Sequence, residues 1–291
     1  MDLENTKYES CQKNFHNKCK FCGKDLKPIG LDYLYTNASS ELIEYERCTC
    51  KESKNYWKDV DFRIQEQKKK EHYREMISQF YSQSYISKRL KDYNFKNFKV
   101  TDVNKKEVAI AKDYANKCIN NEQENGLIIT GNSGVGKTHL AASILNELLE
   151  KDKLVLIGRL TSLLDMIKET FKDNSKSENE LIELFSNVDM VVIDDLGTER
   201  IRNWALEKLY TIIENRNENK LPIIITTKFD KEGLLHRFIQ SNDKELADAI
   251  IQKLYQMCYG IELKRYDENQ KKKLAQATKL NANLIQNLNL L

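Results

Sequence analysis

The stretch that most constrains this chain is Gly131-Asn132-Ser133-Gly134-Val135-Gly136-Lys137-Thr138. Its spacing, G-x-x-x-x-G-K-[ST], is that of a P-loop. Before it stands Gly126-Leu127-Ile128-Ile129-Thr130, a short apolar run rich in β-branched residues, as a buried strand requires. After it, residues 139–150 place Leu140, Ile144 and Leu148 at helical spacing. Strand, glycine loop and helix in that order let backbone N–H groups ring a phosphate, and the helix N-terminus adds partial positive charge. Lys137 is positioned to reach the β- and γ-phosphates of a nucleotide and the Thr138 hydroxyl to bind Mg²⁺. The expected nucleotide-binding set is Gly131, Asn132, Ser133, Gly134, Val135, Gly136, Lys137, Thr138 and the following His139. A glycine turn with a chance lysine is the bland alternative, and the flanks weigh against it.

A second acidic element follows. Met190-Val191-Val192-Ile193-Asp194-Asp195 reads as a buried strand ending in two carboxylates, expected next to the P-loop strand. Asp194 can hold Mg²⁺ alongside Thr138, and Asp195 can orient or deprotonate an attacking water. The bland reading is a strand ending in a solvated polar turn. Further strands are expected at 154–157 and 222–227, with helices at 53–92, 103–120, 162–171, 181–188 and 204–215. Near-continuous apolar strands alternating with helices indicate an α/β fold, a parallel sheet covered on both faces.

The front of the chain has a different character. Cys19-Lys20-Phe21-Cys22 is a C-x-x-C and Cys48-Thr49-Cys50 a C-x-C, with short strand-like runs near 31–35 and 42–47 between them. Four cysteines on such a scaffold fit a structural zinc ribbon with Cys19, Cys22, Cys48 and Cys50 as ligands. About 50 residues bury little apolar surface, whereas zinc supplies roughly 10–16 kcal/mol of apparent binding energy to folding. A disulfide pair, a redox dithiol and unrelated free thiols are the other readings, and Cys11 or His16 could replace one ligand. Nothing in the sequence points to an oxidising compartment, which disfavours the disulfide. Cys118 and Cys258 are expected as core residues on helices.

Charge is unevenly spread. Residues 51–99 hold 13 Lys/Arg against 7 Asp/Glu, although the whole chain carries only +3. Such a stretch attracts phosphate backbones or is a solvated helix face. No apolar run approaches the roughly 20 residues of a membrane span, and the N-terminus lacks an apolar secretion signal, so a cytoplasmic protein without a membrane partner is expected.

Gly136-Lys137-Thr138-His139-Leu140-Ala141 and Val192-Ile193-Asp194-Asp195-Leu196-Gly197 together resemble the paired motifs of the DnaC/DnaI-type helicase loaders and the related IstB transposition ATPases, which are AAA+ proteins. The resemblance takes in Phe95-Lys96-Asn97-Phe98, Ile213-Glu214-Asn215-Arg216 and Leu221-Pro222-Ile223-Ile224-Ile225-Thr226-Thr227, and covers about residues 84–262. It implies an AAA+ core with a parallel five-stranded sheet, preceded by a small zinc-ribbon-like module and a linker helix. The implied boundaries are 1–56 for the zinc-binding module, 57–95 for the helical linker, 96–265 for the ATPase core and 266–291 for a helical tail. It also implies ATP, Mg²⁺ and Zn²⁺ as cofactors, and a replicative DNA helicase, single-stranded DNA and further copies of the chain as partners. The cysteine-rich front is similar to the loader branch, while IstB-type proteins usually carry a helical front. A transposition regulator and a nucleotide-binding adaptor with little hydrolysis are the rival readings.

Two positions depart from the family's pattern. Lys228 stands where an asparagine usually senses the γ-phosphate, and it brings charge in place of an amide. Lys253 precedes Leu254-Tyr255-Gln256-Met257-Cys258 where related loaders place the arginine finger, and lysine lacks the planar fork. Arg237 and Arg216 are the substitutes for that role. Lys137, Asp194, Asp195, Lys228 and Lys253 form the expected catalytic set.

Overall fold

A computed structural model of the chain describes residues 14, 16–29, 43–83, 88–165, 178–240 and 243–265. The expectations for Cys11, for a strand near 31–35, for the far half of the helix at 162–171 and for the tail at 266–291 lie outside the described residues. The chain divides into two compact units, Met1–Met76 and Ile77–Leu291.

Ahead of residue 51 the described backbone is mostly irregular, with isolated antiparallel bridges Lys18↔Asp25, Asn14↔Tyr45 and Pro28↔Tyr45. A tight turn closes on itself: Cys19 N donates to Lys24 O and Gly23 N to Cys19 O, both at 2.8 Å. Cys19, Leu26 and Cys48 form a small buried cluster with Tyr45 and Cys50 packed on it. Among the described residues, that cluster by itself buries too little apolar surface to hold a fold. Helix α1 (Lys51–Gln83) starts directly after Cys50 and runs into the second unit. Of the expected helix over 53–92, the described residues form α1 and, beyond 84–87, which lie outside the described residues, α2 (Lys88–Asp92).

The second unit is built around five parallel strands: β1 (Gly126–Thr130), β2 (Val155–Gly158), β3 (Met190–Ile193), β4 (Ile223–Thr227) and β5 (Cys258–Glu262). The sheet order is β2-β3-β4-β1-β5. All four pairings are parallel, with Ile128 opposite Ile225 and Gly260, and Val192 opposite Ile224 and Ile157. The helices between them are α3 (Lys105–Ile119), α4 (Lys137–Leu149), α5 (Glu178–Asn187), α6 (Asn203–Glu218), α7 (Lys231–Ile239) and α8 (Lys244–Met257).

Two expectations are corrected. β3 is not beside β1, because β4 lies between them. Cys258 opens strand β5 and is only half-buried, because α8 passes into β5 without a loop and Met257 takes the buried position. Cys118 is a buried residue of α3, as expected.

Helix α4 explains why the P-loop is held firmly. Leu140, Ala141, Ile144, Leu145 and Leu148 are all buried in the core shared with Leu127, Ile129, Val192 and Ile224. Each large aliphatic buried this way contributes about 1.5–3 kcal/mol. The helix beginning at Lys137 is therefore pinned to the sheet, and the loop ahead of it inherits that rigidity.

Candidate functional site

Strands β3, β4 and β1 are neighbours, and their carboxyl ends carry Asp194, Thr226–Thr227 and the glycine loop respectively. Ligands of open α/β sheets bind at this edge, where crossovers diverge. From β1 the chain crosses over to β2 at the far edge, whereas β5 joins on the other side of β1.

The loop has the backbone its glycines permit. Gly136 caps α4 at φ +102°, and a Cβ there would stand 3.2 Å from the Phe98 ring. Lys137 is buried and its Nζ donates to the Gly131 and Asn132 carbonyls at 2.8 and 3.0 Å. Burial pushes the Lys137 ammonium below its ordinary pKa; Asp195 and Asp194 oppose that push, and Lys228 adds to it. The Lys137 ammonium therefore feels both carboxylates and the second lysine.

The two motifs meet through hydroxyls. Thr138 Oγ1 donates to Asp194 Oδ1 and Oδ2 at 2.8 and 3.1 Å. Thr226 Oγ1 donates to Asp194 Oδ1 at 2.6 Å and accepts from Asp195 N at 2.8 Å. Thr226 was read from the sequence only as a strand residue; its position on β4, between the two motif-bearing strands, makes it the bridge. Asp195 takes φ +57°, a left-handed backbone uncommon for a residue with a Cβ. A lysine ammonium, a hydroxyl and two carboxylates gathered at one strand edge form the donor set a magnesium nucleotide requires.

His139 faces the other way along α4's first turn. Its ring stacks on Tyr93 at 4.1 Å between centroids and meets Phe98 edge-on at 5.0 Å. Its Nε2 lies 2.9 Å from Asn97 Oδ1 and 3.3 Å from Asn94 O. The ring thereby ties residues 93–98 to the start of the P-loop helix.

The remaining expected residues are placed as follows. Lys228 is exposed at the end of β4, with Nζ 5.2 Å from the Phe229 ring centroid. Lys253 on α8 pairs with Glu214 of its own chain at 3.0 Å. Arg216 is fully buried and donates to the carbonyls of Phe185, Val188, Asp189 and Pro222. It cannot reach a neighbouring subunit, which removes it from the finger candidates. Arg237 bonds to carbonyls of the turn that follows Asp195.

In the first unit, Cys19, Cys22, Cys48 and Cys50 converge so that all four Sγ atoms lie within 4.8 Å of one another. Cys19–Cys50 and Cys22–Cys48 are 3.8 and 3.5 Å apart. Tetrahedral zinc with Zn–S of about 2.3 Å sets sulfur atoms about 3.8 Å apart. The cluster fits that ion, and no disulfide joins these cysteines. Backbone N–H groups, that of Cys22 foremost, bring the Cys19 thiol down to about 6, while Cys50, despite the Ser53 N–H, is pushed up to about 12 by burial and the neighbouring thiols. His16 is exposed and is not part of the four-residue cluster.

A parallel sheet with a P-loop after β1, an acidic end on β3 and a polar end on β4 between them defines an AAA+-type ATP-binding protein. The chain belongs to the IstB-like ATP binding protein family, whose pattern matches residues 26–277. It is 36% identical over 107 residues to the replicative helicase loader DnaC of Escherichia coli K12, which is 37% of this chain and 44% of that loader. It is 23% identical over 248 residues to the replicative helicase loader DnaI of Bacillus subtilis 168, covering 83% of this chain and 73% of that protein. A crystal structure of the DnaC helicase loader superposes with a TM-score of 0.50 at 26% identity, covering 61% of this chain and 99% of that one. The chain thus spans less than half the length of the E. coli loader it matches. No described helix is long and apolar enough to cross a membrane.

Proposed function

We propose that this chain is an ATP-dependent helicase loader, which grips a replicative DNA helicase and places it on single-stranded DNA in the cytoplasm. The observation that carries the ATPase half is the hydrogen-bonded set Thr138–Asp194–Thr226, with Lys137 and Asp195 beside it. Loading, in preference to transposition, is supported by relatives that are named replicative helicase loaders. The match to DnaI spans 248 residues, more than the 96–265 stretch can hold, so the likeness extends beyond the ATPase core.

Within that reading, residues 131–138 cradle the phosphates with backbone amides, and Lys137 exchanges its two carbonyl partners for phosphate oxygens. His139 sets the loop's approach through Tyr93 and Phe98. Thr138 and Asp194, hydrogen-bonded to each other here, would hold Mg²⁺. Bound ATP and Mg²⁺ supply the phosphoanhydride bond and the charge that polarises it. Asp195 orients water and accepts its proton, while Thr226 fixes the Asp195 amide. Lys228 takes the γ-phosphate sensing place, and Lys253 serves the neighbouring subunit once released from Glu214. Two lysines in place of an amide and an arginine make slow, partner-dependent turnover the expected behaviour. Self-association through the core follows from that shared site.

Zn²⁺ on Cys19, Cys22, Cys48 and Cys50 folds the module over 1–56, with 57–95 as linker, 96–265 as ATPase core and 266–291 as tail. Where the module joins α1, Arg47, Lys54, Trp57, Lys58, Asp61 and Phe62 line a groove of about 600 Å³ for gripping the helicase. The test is co-purification of full-length chain with the replicative helicase of its host, with and without ATP. Complex formation that is lost in Cys22→Ser/Cys48→Ser, while ATP affinity stays within about twofold, supports the reading. Retention of a transposase in place of the helicase would overturn it.

A further inference from the structure

The turn after β3 is gripped from three sides, and one grip comes from Arg237 on α7. Arg237 Nε donates to Gly197 O at 2.8 Å, Nη2 lies 3.5 Å from the Thr198 and Glu199 carbonyls, and Nη1 lies 3.3 Å from Gln240 Oε1. From β4, Leu196 N donates to Thr226 O and Thr227 Oγ1 to Leu196 O, both at 2.8 Å. From the segment after β2, Thr161 Oγ1 and N donate to the Glu199 carboxylate, with Arg159 3.7 Å from its other oxygen. At Gly197, φ is +85°, and an added Cβ would stand 2.7 Å from Leu234 Cδ1 and 3.1 Å from the Phe229 ring, so α7 packs hard against this turn.

Inside the turn sits Asp195 at φ +57°, with its carbonyl accepting from Thr198 Oγ1 at 2.7 Å. Aspartate is among the residues that enter the left-handed region, at a cost, and the contacts that grip this turn favour it there. Arg237 presents charged donors to three successive carbonyls, Gly197 at 2.8 Å and Thr198 and Glu199 at 3.5 Å, from a planar fork whose geometry a point-like ammonium does not share. Its Cζ also lies 5.9 Å from the Phe229 ring centroid, one residue after Lys228, so the same side chain links the end of β4 to the turn.

We infer that Arg237 is a positioning residue acting within its own subunit: it clamps carbonyls 197–199 and thereby holds Asp195 in the left-handed backbone that aims its carboxylate. It is then not the finger offered to a neighbour. The inference rests on the reading of Asp195 given above.

Full-length Arg237→Ala, Arg237→Lys and Asp195→Asn chains test it. In Arg237→Ala, amide exchange at Thr198 speeds up roughly tenfold in the nucleotide-free chain, exchange at Leu127 and Ile128 is unchanged, and ATP affinity stays within about twofold. Hydrolysis falls roughly ten- to a hundredfold, the scale of a misplaced reacting group. Arg237→Lys recovers part of both effects. Mixing Arg237→Ala with Asp195→Asn subunits restores nothing, because each mixed site lacks either the clamp or the acid. Restored hydrolysis in the mixture makes Arg237 a finger acting in trans and overturns the inference. So does unchanged exchange with unchanged hydrolysis, or a loss of ATP affinity as large as the loss of hydrolysis. If Asp195→Asn itself hydrolyses ATP like the wild type, the reading of Asp195 fails and the clamp has nothing to position; that result is separate from every Arg237 outcome.

Discussion

Arg216 carries a full charge in a site with no exposure, and its partners are main-chain carbonyls. Burial brings its guanidinium down to about 9, with Tyr114 and Asp189 opposing. The side chain closes the turn between α5 and β3 and the start of β4 at once, through Phe185, Val188 and Pro222. Removing it strands those acceptors. Arg216→Met is expected to lower stability by about 3–5 kcal/mol, read by urea denaturation. A change under about 1 kcal/mol would show that water replaces the guanidinium at no cost. Arg216 was legible in the sequence only as a motif residue, because which carbonyls lack partners depends on where three elements meet. Lys137 and Thr138 were legible for the opposite reason, since strand, loop and helix place them locally.

Elements show the same division. β1, β3 and β4 announce themselves by runs such as Leu127-Ile128-Ile129 and Ile223-Ile224-Ile225, because strands buried on both faces admit little else. β5 does not: Cys258 reads as a helical residue, and Tyr259 is exposed on this edge strand. Helices α7 and α8 left cap signals instead, Asp230 accepting from Gly233 N and Asp243 from Leu246 N. That β4 separates β3 from β1 is a property of strand order, which local pattern does not encode; with it goes the bridging role of Thr226. The tie between residues 93–98 and α4 makes its own prediction. Burial, opposed by the Asn94 carbonyl, holds the His139 imidazole below its ordinary 6.5. Below pH 6.5 the unfolded chain therefore takes up a proton that the folded core refuses. Stability is intact above that pH and is lost as pH falls towards the folded value. In a Trp57→Phe chain, where Trp204 reports on the core, the melting temperature is expected to fall between pH 7 and 5.5. His139→Gln should flatten that decline; an equal slope in the variant would assign it to other groups.

Across the whole molecule, the described residues of the front and of the core are gathered by different means, four convergent thiols in one and a buried sheet in the other. The front has three buried residues in its cluster and four convergent thiols; the core has a sheet buried on both faces. C-x-x-C and C-x-C spacing made the first legible, and periodic apolar runs the second. The turn over 194–199 escaped because its supports, Thr161, Thr226 and Arg237, come from three distant segments. One site, at the neighbouring carboxyl ends of β1, β3 and β4, is proposed to bind ATP with Mg²⁺. Calorimetric titration of ATP and Mg²⁺ into the full-length chain tests it most directly, with Lys137→Ala alongside and zinc content measured in both. One site per chain is expected, weakened at least about thirtyfold in Lys137→Ala, the scale of one to two lost charge-assisted hydrogen bonds, with zinc content unchanged. Equal affinity in the two chains would place the nucleotide elsewhere and contradict the account.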